Sequence, residues 1–320
     1  MKFLENEQMS KHTNFRIGGQ VRWFAEVRSV DELKEALQFA RENKVSYFVF
    51  GGGSNILVND KPFEGIAIKI AMRNIVIENV SLRGAQRRSN LSCVKAEAGA
   101  LSSSVARETA KAGLAGLTWM ISLPGTIGGA VRGNAGCFGG ETKDYLVEVE
   151  LLRDGEVITV KKNDLHFGYR DSVIKHSNDI VLSATFELEA GDPKKLLAEL
   201  DEKLSARKLS QPLDAGSAGC MFKNYEIKSD DELQRLKQIL DIPPNVSSTM
   251  RISAGWLIDQ LDLKGTQIGG AKVSEKHGNF LINTGNATAD NVVQLIALIK
   301  TRARNEYGIN LEEEVQFVGF

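Results

Sequence analysis

Apolar positions along the chain recur in short stretches that alternate between helical and strand-like spacing. Ser29 and Glu32 have the spacing of a capping box, and Leu33, Ala36, Leu37 and Ala40 follow at helical intervals. The pattern predicts an amphipathic helix leading into an apolar, β-rich run at 45–50 that stops at three consecutive glycines. A further strand is predicted at 66–70. The span 72–92 is polar and aperiodic, with Arg83, Arg87 and Arg88 bunched in it, and reads as a connection. A helix over Ser102–Lys111 is expected to end at Gly113, which suits the left-handed position after a helix. Strand-like runs at 147–152 and 157–160 flank Asp154 and Gly155, a dipeptide made for a two-residue hairpin. A further strand is expected at 180–188.

Pro193 opens a helix with Leu196, Leu197, Leu200 and Leu204 on one face, ending before Gln211 and Pro212, where a domain boundary is placed. Ser229 and Glu232 repeat the capping-box spacing ahead of Leu233, Leu236, Ile239 and Leu240. A helix after Thr288 carries Val292, Val293, Leu295, Ile296 and Ile299 and stops near Gly308, and 315–318 reads as the last strand. With 320 residues the chain exceeds one small core, and two or three mixed α/β units are expected.

Composition narrows the function classes. Forty basic residues against 41 acidic ones leave a net charge of −1, so nothing global favours nucleic acid or an anionic membrane as partner. The first residues lack a signal-peptide core, and no apolar run is long enough to span a bilayer, so a cytoplasmic location is expected. Cys93, Cys137 and Cys220 are odd in number and form no CxxC pair. His12, His166, His176 and His277 form no metal-binding pair. Disulfides and a metal site are not expected.

Two glycine-rich segments carry the candidate chemistry. Gly51-Gly-Gly-Ser-Asn55 follows a strand, so its amides are free of side chains and suited to a phosphate; a plain tight turn accounts for it equally well. It is not a GxGxxG fingerprint, which argues against a Rossmann site. Residues 123–136 pack five glycines and an asparagine between regular regions. Such a stretch loses much backbone entropy on folding, and close approach of the main chain to a bulky polyanionic cofactor gives that composition a reason.

In order along the chain stand Asn14-Phe-Arg-Ile-Gly-Gly19, Gly51-Gly-Gly-Ser-Asn55, Pro124-Gly-Thr-Ile-Gly-Gly-Ala130, Gly133-Asn-Ala-Gly136 and Phe167-Gly-Tyr-Arg-Asp-Ser172. They are followed by Ser217-Ala-Gly-Cys-Met-Phe-Lys-Asn224, Ala254-Gly-Trp-Leu-Ile-Asp259, Leu263-Lys-Gly265, Ile268-Gly-Gly-Ala271 and Glu314-Val315. Each motif is weak alone, but together the chain resembles the UDP-N-acetylenolpyruvoylglucosamine reductase (MurB) family nearly end to end. The resemblance implies an α+β architecture. It comprises a p-cresol methylhydroxylase-type FAD fold in two α/β subdomains, at 1–72 and 73–208, and a substrate-binding domain at 209–311. The strand at 312–320 would return to the first subdomain. The short interval from Arg170 to Cys220 looks like the family type without a substrate-covering insertion.

The resemblance also implies non-covalent FAD, NADPH as reductant, and reduction of UDP-N-acetylglucosamine enolpyruvate to UDP-N-acetylmuramate by a monomer. FAD contacts are expected at Gly51, Gly52, Gly53, Ser54, Asn55, Pro124, Gly125, Thr126, Gly128, Gly129, Asn134, Ala135 and Gly136. Arg170 matches the family's active-site arginine, a fixed cation for charge developing on the substrate carboxylate. Glu314 matches its acidic residue near the C-terminus. Cys220 stands where the family usually has serine as proton donor to carbon; a thiol is the stronger acid of the two. Tyr169, Lys223, Asn224, Lys264 and Gln267 are expected at substrate or NADPH, and Tyr225 stands where proline is common. Cys137 is expected to pack near the flavin and Cys93 in the core.

Two other readings stay open on the sequence. One is a flavin oxidase or 2-hydroxy-acid dehydrogenase on the same fold, for which covalently tethered FAD would speak. The other is a non-catalytic flavin- or nucleotide-binding module, against which the trio Arg170, Cys220 and Glu314 argues.

Overall fold

The computed structural model describes residues 1–79 and 91–320. The chain divides into two units, each assembled from several stretches of sequence. The first takes Met1–Glu7, Val21–Gly52 and Glu64–Leu209; the second takes Gln8–Gln20, Gly53–Phe63 and Ser210–Phe320. The architecture is α+β.

In the first unit, four strands form a sheet in the order Leu4–Gln8, Gln20–Val27, Phe63–Ile70, Tyr47–Phe50. Tyr47–Phe50 runs parallel to its neighbour with Tyr47 opposite Ile66. The predicted helix is Val30–Glu42, burying Leu33, Ala36 and Ala40. Ser29 Oγ accepts from the Glu32 amide at 3.2 Å, but the Glu32 carboxylate reaches Arg28 N at 2.6 Å, one residue earlier than a reciprocal capping box requires. The Ser229 and Glu232 pair repeats this, with Glu232 accepting from Lys228 N at 2.8 Å.

A larger antiparallel sheet orders Glu156–Lys161, Leu146–Arg153, Ile180–Ala190, Leu91–Glu97 and Ile75–Asn79, with Leu114–Ala115 also paired to Ile180–Ala190. Asp154 and Gly155, both at positive φ (50° and 85°), turn the predicted hairpin. Ile75–Asn79 lies inside the span read as a connection. It escapes a periodicity argument because Val76 and Ile77 are both exposed, while Ile75 packs against the core. Residues 80–90, including Arg83, Arg87 and Arg88, lie outside the described residues. Helix Ser102–Lys111 ends as expected, with Gly113 at φ +72°. Helix Pro193–Ser210 buries Leu196 and Leu200.

In the second unit, helix Ala289–Tyr307 starts at a full capping box of Thr288 and Asn291 and ends at Gly308 in the left-handed region. It buries Val292, Leu295, Ile296, Ile299 and Ala303 and packs on a meander of Gln267–Ile268, Ala271–Val273 and Leu281–Asn283. Phe15, Leu57, Met221 and Phe222 join the same core. The last strand, Gln316–Val318, pairs in parallel with Ile56–Val58.

Candidate active site

The two glycine segments meet inside the first unit. A Cβ on Gly51 would lie 2.1 Å from Thr126 Oγ1, and one on Gly52 would lie 3.0 Å from Gly125 Cα. The second segment is more regular than its glycines suggest. Ile127–Arg132 forms a short helix that buries Ile127, Ala130 and Val131. It is stitched to the preceding loop by bonds from Ile127 N to Ala100 O, Gly128 N to Ala98 O and Ser102 N to Gly125 O. A Cβ on the exposed Gly129 would meet nothing within 4 Å, and the fully buried Ser102 Oγ has no partner among the described residues. Abutting backbones without side chains in front, beside an unsatisfied buried hydroxyl, fit a large nucleotide cofactor such as FAD.

Other expected cofactor residues have structural partners. Gly53, Ser54 and Asn55 belong to the second unit. Gly53 sits at φ +65° with its Cβ position 2.1 Å from His12 O, and Asn55 Nδ2 donates to Glu314 O at 3.2 Å. Ala135 O accepts from Thr142 N and Thr142 Oγ1. Asn134 is fully buried. Its Nδ2 donates to Gly168 O at 2.8 Å and Glu141 Oε2 at 3.0 Å, and its Oδ1 accepts from Lys143 N at 3.1 Å.

Arg170 occupies a tight turn closed by mutual bonds of Gly168 and Asp171. Its φ of +55° is left-handed, a conformation costly for a residue with a Cβ. Its Nη2 donates to Gly136 O at 2.7 Å, and its guanidinium lies 5.2 Å from the Tyr169 ring centroid. Asp171 pairs with His176 at 2.8 Å; burial opposes ionisation of this carboxyl, but the hydrogen bond to His176 and the charges of His176 and Lys175 hold it below the usual range.

The second unit brings Cys220 and Glu314 onto neighbouring extended segments. Glu314 N donates to Met221 O and Lys223 N to Glu312 O, with Phe222 bridged to Glu313. The segment holding Cys220 is clamped from its other side by Asn279, only 2% exposed. Met221 N donates to Asn279 O, Phe222 N to Asn279 Oδ1, and Asn279 Nδ2 to Phe222 O. Sequence reasoning missed Asn279, whose sole trace is a polar residue ahead of the apolar Phe280, Leu281 and Ile282.

Lys223 pairs with Glu312 at 3.2 Å and Lys264 with Asp259 at 2.7 Å, all partly exposed. Asn224 Oδ1 accepts from Ala254 N at the start of helix Ala254–Gln260, and Gln267 Nε2 donates to Gly269 O. Tyr225 pairs with Ile252 across Tyr225–Glu226 and Arg251–Ile252. Its hydroxyl donates to Glu232 at 2.5 Å, and burial with that bond pushes its pKa up to about 12. Cys137 Sγ donates to Trp119 O at 3.3 Å. Cys93 is half-buried rather than core, and burial raises its thiol pKa.

Residues 21–161 match the FAD binding domain, and 211–318 match the C-terminal domain of UDP-N-acetylenolpyruvoylglucosamine reductase. A reductase of that name from Clostridium botulinum (strain Alaska E43) is 35% identical over 98% of this chain and 92% of its own length. One from Caldanaerobacter subterraneus is 36% identical over 99% and 94%. The chain belongs to the UDP-N-acetylenolpyruvoylglucosamine reductase family. A solved member, from Thermus caldophilus, superposes with a TM-score of 0.72 at 31% identity, covering 99% of both chains. The first unit thus carries the family's FAD-binding domain. No helix among the described residues is long and apolar enough to cross a membrane.

Proposed function

We propose that the protein reduces UDP-N-acetylglucosamine enolpyruvate to UDP-N-acetylmuramate in peptidoglycan precursor synthesis, using FAD and NADPH, as a cytoplasmic monomer. The observation that carries this reading is the placement of Cys220 and Glu314 on adjacent segments, joined by the Glu314 N to Met221 O bond, in a chain that matches reductases of that name over nearly its whole length. FAD held by the glycine segments would provide hydride-transfer chemistry toward the methylene carbon of the enolpyruvyl ether, with NADPH as its reductant.

The chain's own residues manage charge and proton. Gly51, Gly52, Pro124, Gly125, Thr126, Gly128, Gly129, Ala135 and Gly136 present backbone to the cofactor, with Gly53, Ser54 and Asn55 completing the first segment. Arg170 holds the substrate carboxylate and stabilises the negative charge that grows on it. The Cys220 thiol gives its proton to the carbon bearing the carboxylate. Glu314, in its protonated form, donates a hydrogen bond on the carboxylate side. Lys223 and Lys264 exchange partly exposed carboxylate partners for substrate phosphates, a small cost for such ion pairs. Tyr169, Asn224 and Gln267 complete the substrate contacts. In family terms the chain reads as FAD subdomains at 1–72 (with 312–320) and 73–208, and a substrate domain at 209–311.

The test is consumption of NADPH that depends on the enolpyruvyl nucleotide, with a product two mass units heavier. NADPH oxidation that proceeds equally with a 2-hydroxy acid or oxygen alone overturns the reading.

A further inference from the structure

We infer that Asn134 is a positioning residue for Arg170, acting through the turn that presents it. Arg170 is held at φ +55°, so the turn must be constrained from outside to keep it there. Three contacts within the first unit supply the constraint. Asn134 Nδ2 donates to Gly168 O, the first residue of the turn, at 2.8 Å. Lys175 Nζ donates to Arg170 O at 3.1 Å. Arg170 Nη2 donates to Gly136 O at 2.7 Å, two residues beyond Asn134 on the same loop.

Asn134 therefore holds the arginine's backbone turn, while the loop that carries it anchors the guanidinium separately through Gly136 O. Asn134 itself sits at φ +40° with no exposure; Glu141 Oε2 accepts from the same Nδ2, and Lys143 N donates to its Oδ1. The Glu141 carboxylate stays ionised: burial opposes this, but hydrogen bonds from Lys143 and Asn134 and the charge of Arg170 outweigh it. A carboxylate acceptor fixes which end of the amide faces Gly168, since only Nδ2 can donate to it. With both amide hydrogens and the carbonyl engaged by protein, the side chain is a brace for the arginine turn.

This inference rests on the role proposed for Arg170, and the experiment separates the two. Holoenzymes of Asn134→Ala, Arg170→Met and the double variant are compared in anaerobic half-reactions: flavin reduction by NADPH, then reoxidation by the enolpyruvyl nucleotide. Asn134→Ala is expected to slow reoxidation on the order of 10–100-fold, the scale of a misplaced catalytic group, well beyond any change in flavin content or in the NADPH step. That loss should vanish in the Arg170→Met background, because the two act as one unit. Lys175→Met, which frees the turn at its other hold, should slow the same step with the same non-additivity, and it serves if the alanine variant does not fold. Loss of flavin, equal slowing of both steps, or additive losses overturn the brace alone. Normal reoxidation in Arg170→Met overturns the arginine's role and the brace with it.

Discussion

Gly51→Ala tests whether the glycine segments are composed for mutual approach. The added methyl would sit 2.1 Å from Thr126 Oγ1, 3.2 Å from Thr126 Cβ and 3.3 Å from Cγ2. Gly51 carries no positive φ, so the penalty is steric and not conformational. Relief requires Thr126 to move by about 1 Å, and Thr126 is buried at the start of the helix Ile127–Arg132. Overpacking at such a site costs about 1–3 kcal/mol, which lowers Tm by roughly 2–4 °C per kcal/mol in a unit of this size. If the loops separate instead, the amides proposed to meet the cofactor shift and the same energy appears as about 5–150-fold weaker FAD binding. The assay is apoprotein melting together with recovery of FAD fluorescence on dilution. Thr126→Ala removes the two nearest side-chain termini, so Gly51→Ala/Thr126→Ala should recover most of the loss. A Gly51→Ala protein with unchanged melting and unchanged flavin retention would refute the packing argument.

Three further outcomes follow from the second unit. Asn279→Ala leaves Phe222 N and Phe222 O unpaired, and at about 1–3 kcal/mol for each buried group it should lower urea stability by roughly 2–6 kcal/mol; an unchanged midpoint counts against the clamp. Tyr225 keeps its proton in the folded state until about pH 12, so its stabilising share is full below the ordinary tyrosine range and is lost as pH rises through it toward 12. Ultraviolet titration should show one tyrosine ionising late, and Tyr225→Phe should remove that late step. Cys220→Ala should slow reoxidation of reduced flavin by substrate, within the roughly 10²–10⁴-fold range of acid catalysis, while Cys220→Ser restores much of it; near-normal reoxidation in the alanine variant, with no further gain in the serine one, removes the cysteine as donor.

What was legible in the sequence is local. Ser29, Ser229 and Thr288 mark helix starts, Gly113 and Gly308 mark ends, and Asp154 with Gly155 marks a hairpin, because each acts on atoms within a few residues. Even there the return bonds of Glu32 and Glu232 land one residue early, a detail of loop geometry. The site was legible only through motifs held in common with a family. Nothing in the spacing of Cys220 and Glu314 reveals that Met221 and Glu314 share a hydrogen bond. The supports were illegible altogether: Asn134 and Asn279 are ordinary polar residues in the sequence. Their importance comes from burial against carbonyls far away along the chain. Likewise the left-handed turn at Arg170 follows from contacts with Asn134, Gly136 and Lys175, not from a turn-forming residue.

The most direct test of the account is an anaerobic sequence on the yellow holoprotein. NADPH is added first to bleach the flavin absorbance, and then one equivalent of UDP-N-acetylglucosamine enolpyruvate. The account predicts that the colour returns on the second addition with one equivalent of UDP-N-acetylmuramate formed. A flavin that stays bleached after the nucleotide is added, and regains its colour only on admitting oxygen, would contradict it.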